Sequence, residues 1–263
     1  MKISIITACY CSAGSVAQTI QSVLEQSWGD IEYIVVDGNS TDGTVDIVRE
    51  YEPKFQGRMR WVSEPDVGMY DALNKGLRMA TGDVVGVLHA DDAFQDDGVV
   101  QRVVGAFDDG TDAVYSDIRF ADCAGRTIRY YSARHWRPWM LQWGYMPPHP
   151  GVYIRRECFG RLGDYKQGYH IAADYELIIR FLRKSRLRAR YLPVCAVEMR
   201  MGGKSTRGWK SNLVLNQEIV RGNRENGYLC CLPMLVPKYL FKVFEFIIPK
   251  ARRVLGTGKG ERS

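Results

Sequence analysis

Asp83-Val-Val-Gly-Val-Leu-His-Ala-Asp91-Asp92 is a short apolar run closed by two adjacent carboxylates. Val84, Val85, Val87 and Leu88 form a β-branched and aliphatic block, which suits a strand buried on both faces of a parallel sheet. In open α/β sheets, ligands sit outside the carboxyl ends of the strands, so Asp91 and Asp92 stand where a ligand would lie. Two carboxylates side by side repel unless a cation or a polyol meets them. The alternative is a helix N-cap pair, because Asp-rich turns often start helices.

Upstream, the pattern repeats. Ile3–Ala8 reads as a strand, and Ser15-x-x-Gln18 as a capping box opening a helix to about Gln26. Glu32–Asp37 is a second strand, again ending in a carboxylate. Gly38–Gly43 is turn chemistry, with Ser40 or Thr41 able to cap a helix running through Tyr51. Arg58–Ser63 is a third strand, and Tyr70, Leu73, Leu77 and Ala80 mark the helix before the opening run. This β-α-β-α-β-α-β order predicts a doubly wound parallel sheet. Its carboxyl edge gathers Thr7 to Tyr10, Asp37 and the Asp91–Asp92 pair.

Downstream, strands and helices stop alternating. Ala113–Phe120 and Arg126–Tyr131 read as an antiparallel pair, followed by an aromatic segment with Trp136, Trp139, Trp143 and Tyr145. These aromatics suit either an acceptor-sugar platform or core and membrane-interface positions. Gly151–Arg156 is a strand, Ile171–Leu182 a helix, and Arg190–Met199 the last strand. Ser211–Asn226 reads as a polar helix. Beyond it, Leu240, Val243, Phe244, Ile247 and Ile248 recur at helical spacing among basic residues.

Composition bounds the rest. The chain has 263 residues, 46% hydrophobic and 25% charged, which indicates a globular protein. From Lys204 to Ser263 there are twelve Lys/Arg against four Asp/Glu, a balance of +8; with a total of +6, residues 1–203 sum to −2. A near-neutral body with a basic tail predicts an anionic partner for the tail. The tail's apolar face favours an anionic membrane surface over nucleic acid, with a packed helix as the alternative. Seven cysteines without a C-x-x-C pair point to reduced thiols rather than a disulfide framework or structural zinc, and so to a cytoplasmic setting. No apolar stretch approaches the ~20 residues that span a bilayer.

The rim suggests a nucleotide-diphosphate ligand. An Asp at the end of the second strand can accept from a base imide or a ribose hydroxyl. An Asp pair can hold a hard divalent cation against a diphosphate. The first turn, Cys9-Tyr-Cys-Ser-Ala-Gly14, lacks G-x-G-x-x-G, which argues against a dinucleotide-binding dehydrogenase.

In order and spacing, a set of motifs resembles family 2 glycosyltransferases of the GT-A fold. They are Ser4–Tyr10, Glu32–Thr44, Glu64-Pro-Asp-Val-Gly-Met-Tyr-Asp-Ala-Leu-Asn-Lys-Gly76, Thr81-Gly-Asp and Leu88-His-Ala-Asp-Asp92. Pro148–Arg156, Ala172-Ala-Asp174-Tyr-Glu-Leu and Gly202-Gly-Lys-Ser205 extend the likeness more loosely. The subgroup most resembled builds bacterial cell-surface polysaccharides on lipid carriers.

The resemblance implies an α/β mixed, Rossmann-like sheet flanked by helices, over residues 1–205, with a helical tail over 206–263. Residues 1–95 would bind the nucleotide sugar, and 96–205 the acceptor and catalytic base. Thr7, Ala8, Tyr10 and Asp37 would hold the base, Asp66 and Lys75 the ribose or diphosphate, and Asp91 the sugar or ribose. Asp92 would bind Mg²⁺ or Mn²⁺, with His149 as a possible further ligand. Asp174 would be the catalytic base of an inverting transfer, although the family more often shows Glu-Asp where this chain has Ala173-Asp174. The acceptor would be a glycan or lipid-linked saccharide, and the enzyme would sit peripherally on the inner face of the plasma membrane. Rival readings are a catalytically silent sugar-nucleotide binder or scaffold, and a sugar-phosphate nucleotidyltransferase, whose glycine-rich first loop is missing here.

Overall fold

Alternation along the first strands decides the layers. β1 (Ile3–Cys9), β2 (Ile31–Asp37), β3 (Met59–Ser63) and β4 (Val84–Val87) are parallel and lie in the order β3-β2-β1-β4. Ile6, Ile34, Val36, Val85 and Val87 join one buried cluster, whereas Ile3, Ile5, Tyr33, Val35 and Val84 join the other. Side chains two residues apart share a face, so each strand feeds both layers. α1 (Val16–Leu24) covers the second face with Val16, Ile20 and Val23; α2 (Thr44–Tyr51) adds Val48. α3 (Met69–Met79) covers the first with Tyr70, Leu73 and Leu77. Each such Val, Leu or Ile contributes about 1.5–3 kcal/mol by leaving water.

The computed structural model of the chain describes residues 1–122, 124–200 and 209–239. Cys123, the Gly202–Ser205 motif and the Leu240–Ile248 repeat lie outside them. The second half comprises β5 (Asp92–Phe94), α4 (Val99–Gly105), β6 (Ala113–Ala121), β7 (Thr127–Tyr131), β8 (Val152–Arg155), α5 (Arg156–Leu162), α6 (Ala173–Ile178), β9 (Ala189–Arg200) and α7 (Trp209–Glu225). The sheet order is β3-β2-β1-β4-β8-β6-β9-β5, with β7 on β6. β8 enters antiparallel between β4 and β6, so the sheet is mixed, as expected. Gly86 allows that junction: a Cβ there would stand 2.6 Å from a ring carbon of Tyr153, its partner on β8.

Several local expectations give way to specific contacts. Ser15 makes no capping bond to α1; its hydroxyl turns back to the Ser12 carbonyl. At α2 the N-cap is Gly43; Asp42 before it accepts from the Thr44 amide and hydroxyl, while Ser40 bonds Asp37 instead. Asp92 is not a helix cap, because it opens β5 and pairs opposite Met199 of β9. The helix expected over Ile171–Leu182 is regular only to Ile178 and continues as a π turn, Ile179–Lys184, that keeps Phe181 and Leu182 buried.

At the amino edge, Glu32 ties β1, β2 and the Thr81–Gly82 turn together. It accepts from the Ser4 hydroxyl at 2.6 Å and from the Thr81 amide and hydroxyl at 2.8 and 2.9 Å. Burial alone would raise its pKa, but these bonds and Lys2 outweigh burial and hold it down at about 2.

The described part of the tail is built into the domain. Ile219 of α7, Cys230 and Leu235 belong to the same buried cluster as Leu177 and Phe181. Asn226 donates to Glu176 at 3.0 Å, and Lys166 pairs with Glu225 at 3.0 Å. The boundary expected after residue 205 therefore does not separate α7 from the catalytic body. Among the described residues, no helix is long and apolar enough to cross a membrane. The six cysteines described are free thiols.

Candidate active site

The parallel strands end in register. Cys9 pairs with Asp37, and Asp37 with Ser63, which brings three strand ends to one rim. Asp37 is only 1% exposed and is held from within. It accepts from the Ser40 amide at 2.9 Å, the Ser63 hydroxyl at 2.7 Å and the Ser40 hydroxyl. At the next residue, Gly38, an added Cβ would lie 2.6 Å from Asp66 Oδ2 and 3.3 Å from the Tyr10 ring. The exposed Tyr10 ring and the Asp66 carboxylate thus flank Gly38 at the end of β2. Asp66 is fixed by accepting from the Gly68 amide at 2.9 Å.

Two of the residues expected near a ligand have their polar atoms engaged within the protein. Thr7 is fully buried; its hydroxyl donates to the Leu88 carbonyl at 2.7 Å and accepts from Tyr33. It fastens β1 to the carboxyl end of the opening run, leaving Ala8 and Tyr10 as the residues of that turn nearest the surface. Lys75 donates to the Pro65 carbonyl at 2.7 Å and pairs with Glu64 at 3.0 Å and Asp71 at 3.7 Å. Its charge braces the loop that carries Asp66. Asp71, four residues earlier on α3, was the sequence signal for that role.

The Asp91–Asp92 pair divides as its burial dictates. Asp92 is 2% exposed, and neither carboxylate oxygen has a hydrogen-bond partner among the described residues. Burial, and then the charge of Asp91, push its pKa well up. Thr19 holds the backbone beneath by donating to the Asp92 carbonyl at 2.7 Å. Among the described residues, no three His, Cys, Asp or Glu side chains are arranged to hold a metal ion. A carboxylate without partners nevertheless fits a divalent cation of the Mg²⁺ type, which commonly takes one or two carboxylates and completes its shell with substrate phosphates and water.

His149 meets this site from the other half of the chain. It is buried, its Nε2 lies 2.8 Å from the Tyr165 hydroxyl, and its ring lies 5.7 Å from that of His89. Burial lowers both histidines to about 4; for His89 the neighbouring His149 adds to this, while Asp91 and Asp174 oppose it. Both rings are therefore neutral at neutral pH. His89, whose role the sequence left open, stands within electrostatic reach of both carboxylates.

Asp174 sits in the first turn of α6. It accepts from the Tyr175 amide at 2.8 Å and from the Tyr70 hydroxyl at 3.2 Å. Burial raises its pKa, and these two bonds oppose the rise. Tyr70 stacks on Tyr165 at 5.8 Å, and Asn74 grips Tyr165 by both its backbone amide (3.0 Å) and carbonyl (2.8 Å). A packed chain thus runs from His89 through His149, Tyr165 and Tyr70 to Asp174.

Glu218 of α7 completes the support. It is buried and accepts from the amides of His170, Ile171 and Ala172 at 2.7, 2.9 and 2.8 Å. These three amides lead directly into α6, so the tail helix fixes the segment that aims Asp174. Bonds to a charged acceptor contribute about 1.5–3 kcal/mol each. Glu218→Gln, which keeps one acceptor and loses the charge, is expected to speed amide exchange at residues 170–172 by about tenfold or more. Hydrogen-exchange mass spectrometry reads this directly; unchanged exchange would show that Glu218 does not hold the loop.

Known proteins carry the same organisation. The family model described as Glycosyl transferase family 2 matches residues 4–202. A PGL/p-HBAD biosynthesis glycosyltransferase of Mycobacterium tuberculosis is 28% identical over 202 residues, covering 77% of this chain and 76% of the relative. An uncharacterized glycosyltransferase of the same species is 33% identical over 183 residues, 68% of each chain. Among solved structures, the mannosyltransferase PcManGT from Pyrobaculum calidifontis, in complex with GDP-Man and Mn²⁺, has a TM-score of 0.64 at 20% identity, covering 99% of this chain and 76% of that one. S. aureus TarS 1–349 in complex with UDP-GlcNAc has a TM-score of 0.63 at 16% identity, covering 84% and 67%. The match spans 39% of the longer TarS chain. The structural likenesses establish the GT-A architecture, and the match over residues 4–202 places the chain in glycosyltransferase family 2.

Proposed function

We propose that this glycosyltransferase moves a sugar, with inversion, from a nucleotide-diphosphate sugar to a hydroxyl of a glycan or lipid-linked saccharide in cell-envelope synthesis. The observation that carries the reading is the convergence of the oriented, half-buried Asp174 and of Asp91 on His89, with the partnerless Asp92 carboxylate next in the chain. The ligands of the PcManGT and TarS complexes support a nucleotide-sugar donor. The mycobacterial relative, a PGL/p-HBAD biosynthesis glycosyltransferase, supports glycosyl transfer as the reaction.

In this reading Tyr10, Gly38 and Asp66 receive the base and ribose, with Ala8 beside them. Asp37 shapes the floor, and Lys75 braces the loop. Asp91 faces the sugar or ribose. Asp92 would hold Mg²⁺ or Mn²⁺, with His149 as the further ligand. A cation there supplies Lewis-acid stabilisation of the leaving diphosphate, of several kcal/mol. Asp174 takes the acceptor proton as that oxygen bonds to the anomeric carbon. The bond from that carbon to the diphosphate breaks on the opposite face, and the nucleotide diphosphate departs with the electron pair. Residues through about 95 serve the donor and the second half serves the acceptor. The chain works peripherally at the inner face of the plasma membrane.

A thermal-shift screen of UDP- and GDP-sugars, with and without Mg²⁺ or Mn²⁺, tests the donor. A true donor at a hundred times its Kd stabilises by about 2.7 kcal/mol, or about 5–10 °C for a chain of this size. If no nucleotide sugar raises the midpoint under any metal condition, the proposal fails.

A further inference from the structure

Seven of the eleven large hydrophobic side chains exposed among the described residues lie on α7, the segment after it and one neighbouring turn. Trp139 (60% exposed) and Trp143 belong to the turn Pro138–Trp143, while Leu229 (78%), Leu232 and Val236 (59%) follow α7. The two segments touch: Gln142 donates to the Leu229 carbonyl at 2.7 Å, Cys230 Sγ lies 3.5 Å from the Gln142 carbonyl, and a Cβ on Gly144 would meet Leu235 at 3.0 Å. Single exposed hydrophobics need no explanation, but a cluster marks an interaction surface.

The charges around the cluster choose the partner. Arg137, Arg183 and Arg224 border it, and none has a carboxylate partner among the described residues. They satisfy backbone carbonyls, the Gln142 side chain or, for Arg183, the face of Tyr228 at 3.8 Å. The chain then continues past Tyr239 with six Lys/Arg against two Asp/Glu over residues 240–263. A two-fold contact with a second copy would set this patch against itself and bring unpaired arginines together. An anionic bilayer meets both features, since Trp favours the headgroup level and Lys/Arg favour anionic lipid. The patch also adjoins the catalytic wall. Leu141, in the same turn as Trp139 and Trp143, accepts from the hydroxyl of Tyr175, which follows Asp174.

We propose that the face formed by Trp139, Trp143, Leu229, Leu232 and Val236 docks the folded domain on the interface of an anionic bilayer, which sets Asp174 beside an acceptor whose lipid anchor stays in the membrane. The purpose of docking rests on the lipid-linked acceptor proposed above. The docking itself needs neither donor nor acceptor, so the two fail separately.

The test is flotation of the full chain with vesicles of phosphatidylcholine alone and of equimolar phosphatidylcholine and phosphatidylglycerol. The wild-type chain is expected to float with the anionic vesicles, and Trp139→Ser with Leu232→Ser to lower partitioning by about tenfold or more. An unchanged thermal midpoint confirms that the variant folds. Trp139→Phe with Trp143→Phe keeps the apolar face, so it is expected to bind while losing most quenching of tryptophan fluorescence by brominated lipid. Wild-type partitioning by the serine variant, or quenching that survives in the phenylalanine variant, overturns the proposal. So does a solution dimer that the serine variant dissociates, since the patch would then belong to a second copy.

Discussion

Asp174→Asn is expected to cut sugar transfer by about 10²–10⁴-fold or more, the range general-base help supplies, while donor affinity stays within about threefold of wild type. The asparagine carbonyl can keep the bonds from the Tyr175 amide and the Tyr70 hydroxyl, so α6 and its approach remain in place. What is lost is the ability to take a proton. The donor site proposed at Tyr10, Gly38 and Asp66 lies at the ends of β1 and β2 and in the loop before α3, on elements other than α6. Isothermal titration with the donor and a transfer assay separate the two effects, and a large loss of donor affinity would count against Asp174 as base. The pH profile adds a sign. Burial raises the pKa of Asp174, and a base works only when ionised. The acid limb of the wild-type rate therefore lies above the ordinary Asp range: activity falls as pH drops through this raised pKa. The residual activity of Asp174→Asn should lack that limb.

The residues behind this prediction differ in how far sequence alone discloses them. The strands of the first half were legible because they are short apolar runs that each end in a polar group, and their successive residues feed opposite layers, Ile3 and Ile5 one and Ile6, Ile34 and Val36 the other. β5 was not: three residues gain strand geometry only by pairing with β9, about a hundred residues later. Asp174 was legible through its motif, but its support was not. Tyr70, Tyr165 and His149 are ordinary apolar or loop residues until the fold stacks them, and Glu218 looked like one acid among many on a polar helix. Lys75, expected near the ribose or diphosphate, has protein partners that the sequence reading did not name. Glu64 and Asp71 flank it closely enough to have signalled an internal brace. The tail divides later than expected: α7, Cys230 and Leu235 join the buried core, and residues 240–263 remain a matter of sequence pattern.

Asp92→Asn is expected to act in opposite directions on stability and on metal response. The wild-type carboxylate is buried with both oxygens partnerless, which is among the costlier arrangements a fold can retain. Removing the charge at nearly constant shape should stabilise the metal-free protein by about 1–2 kcal/mol, or about 2–8 °C in midpoint for a chain of this size. The same change removes the anion that would attract Mg²⁺ or Mn²⁺. Midpoint shifts produced in the wild type by metal, or by metal with nucleotide diphosphate, should fall to near zero. A residue that is merely structural would move stability downward and leave any metal response intact. A partner-seeking carboxylate, kept at a cost to the empty fold, predicts the reverse on both counts. Differential scanning fluorimetry of the two proteins, with and without Mn²⁺ and UDP or GDP, decides between them. A destabilised Asp92→Asn that keeps the wild-type metal shift would remove Asp92 from the metal site and leave the orphaned carboxylate without a function.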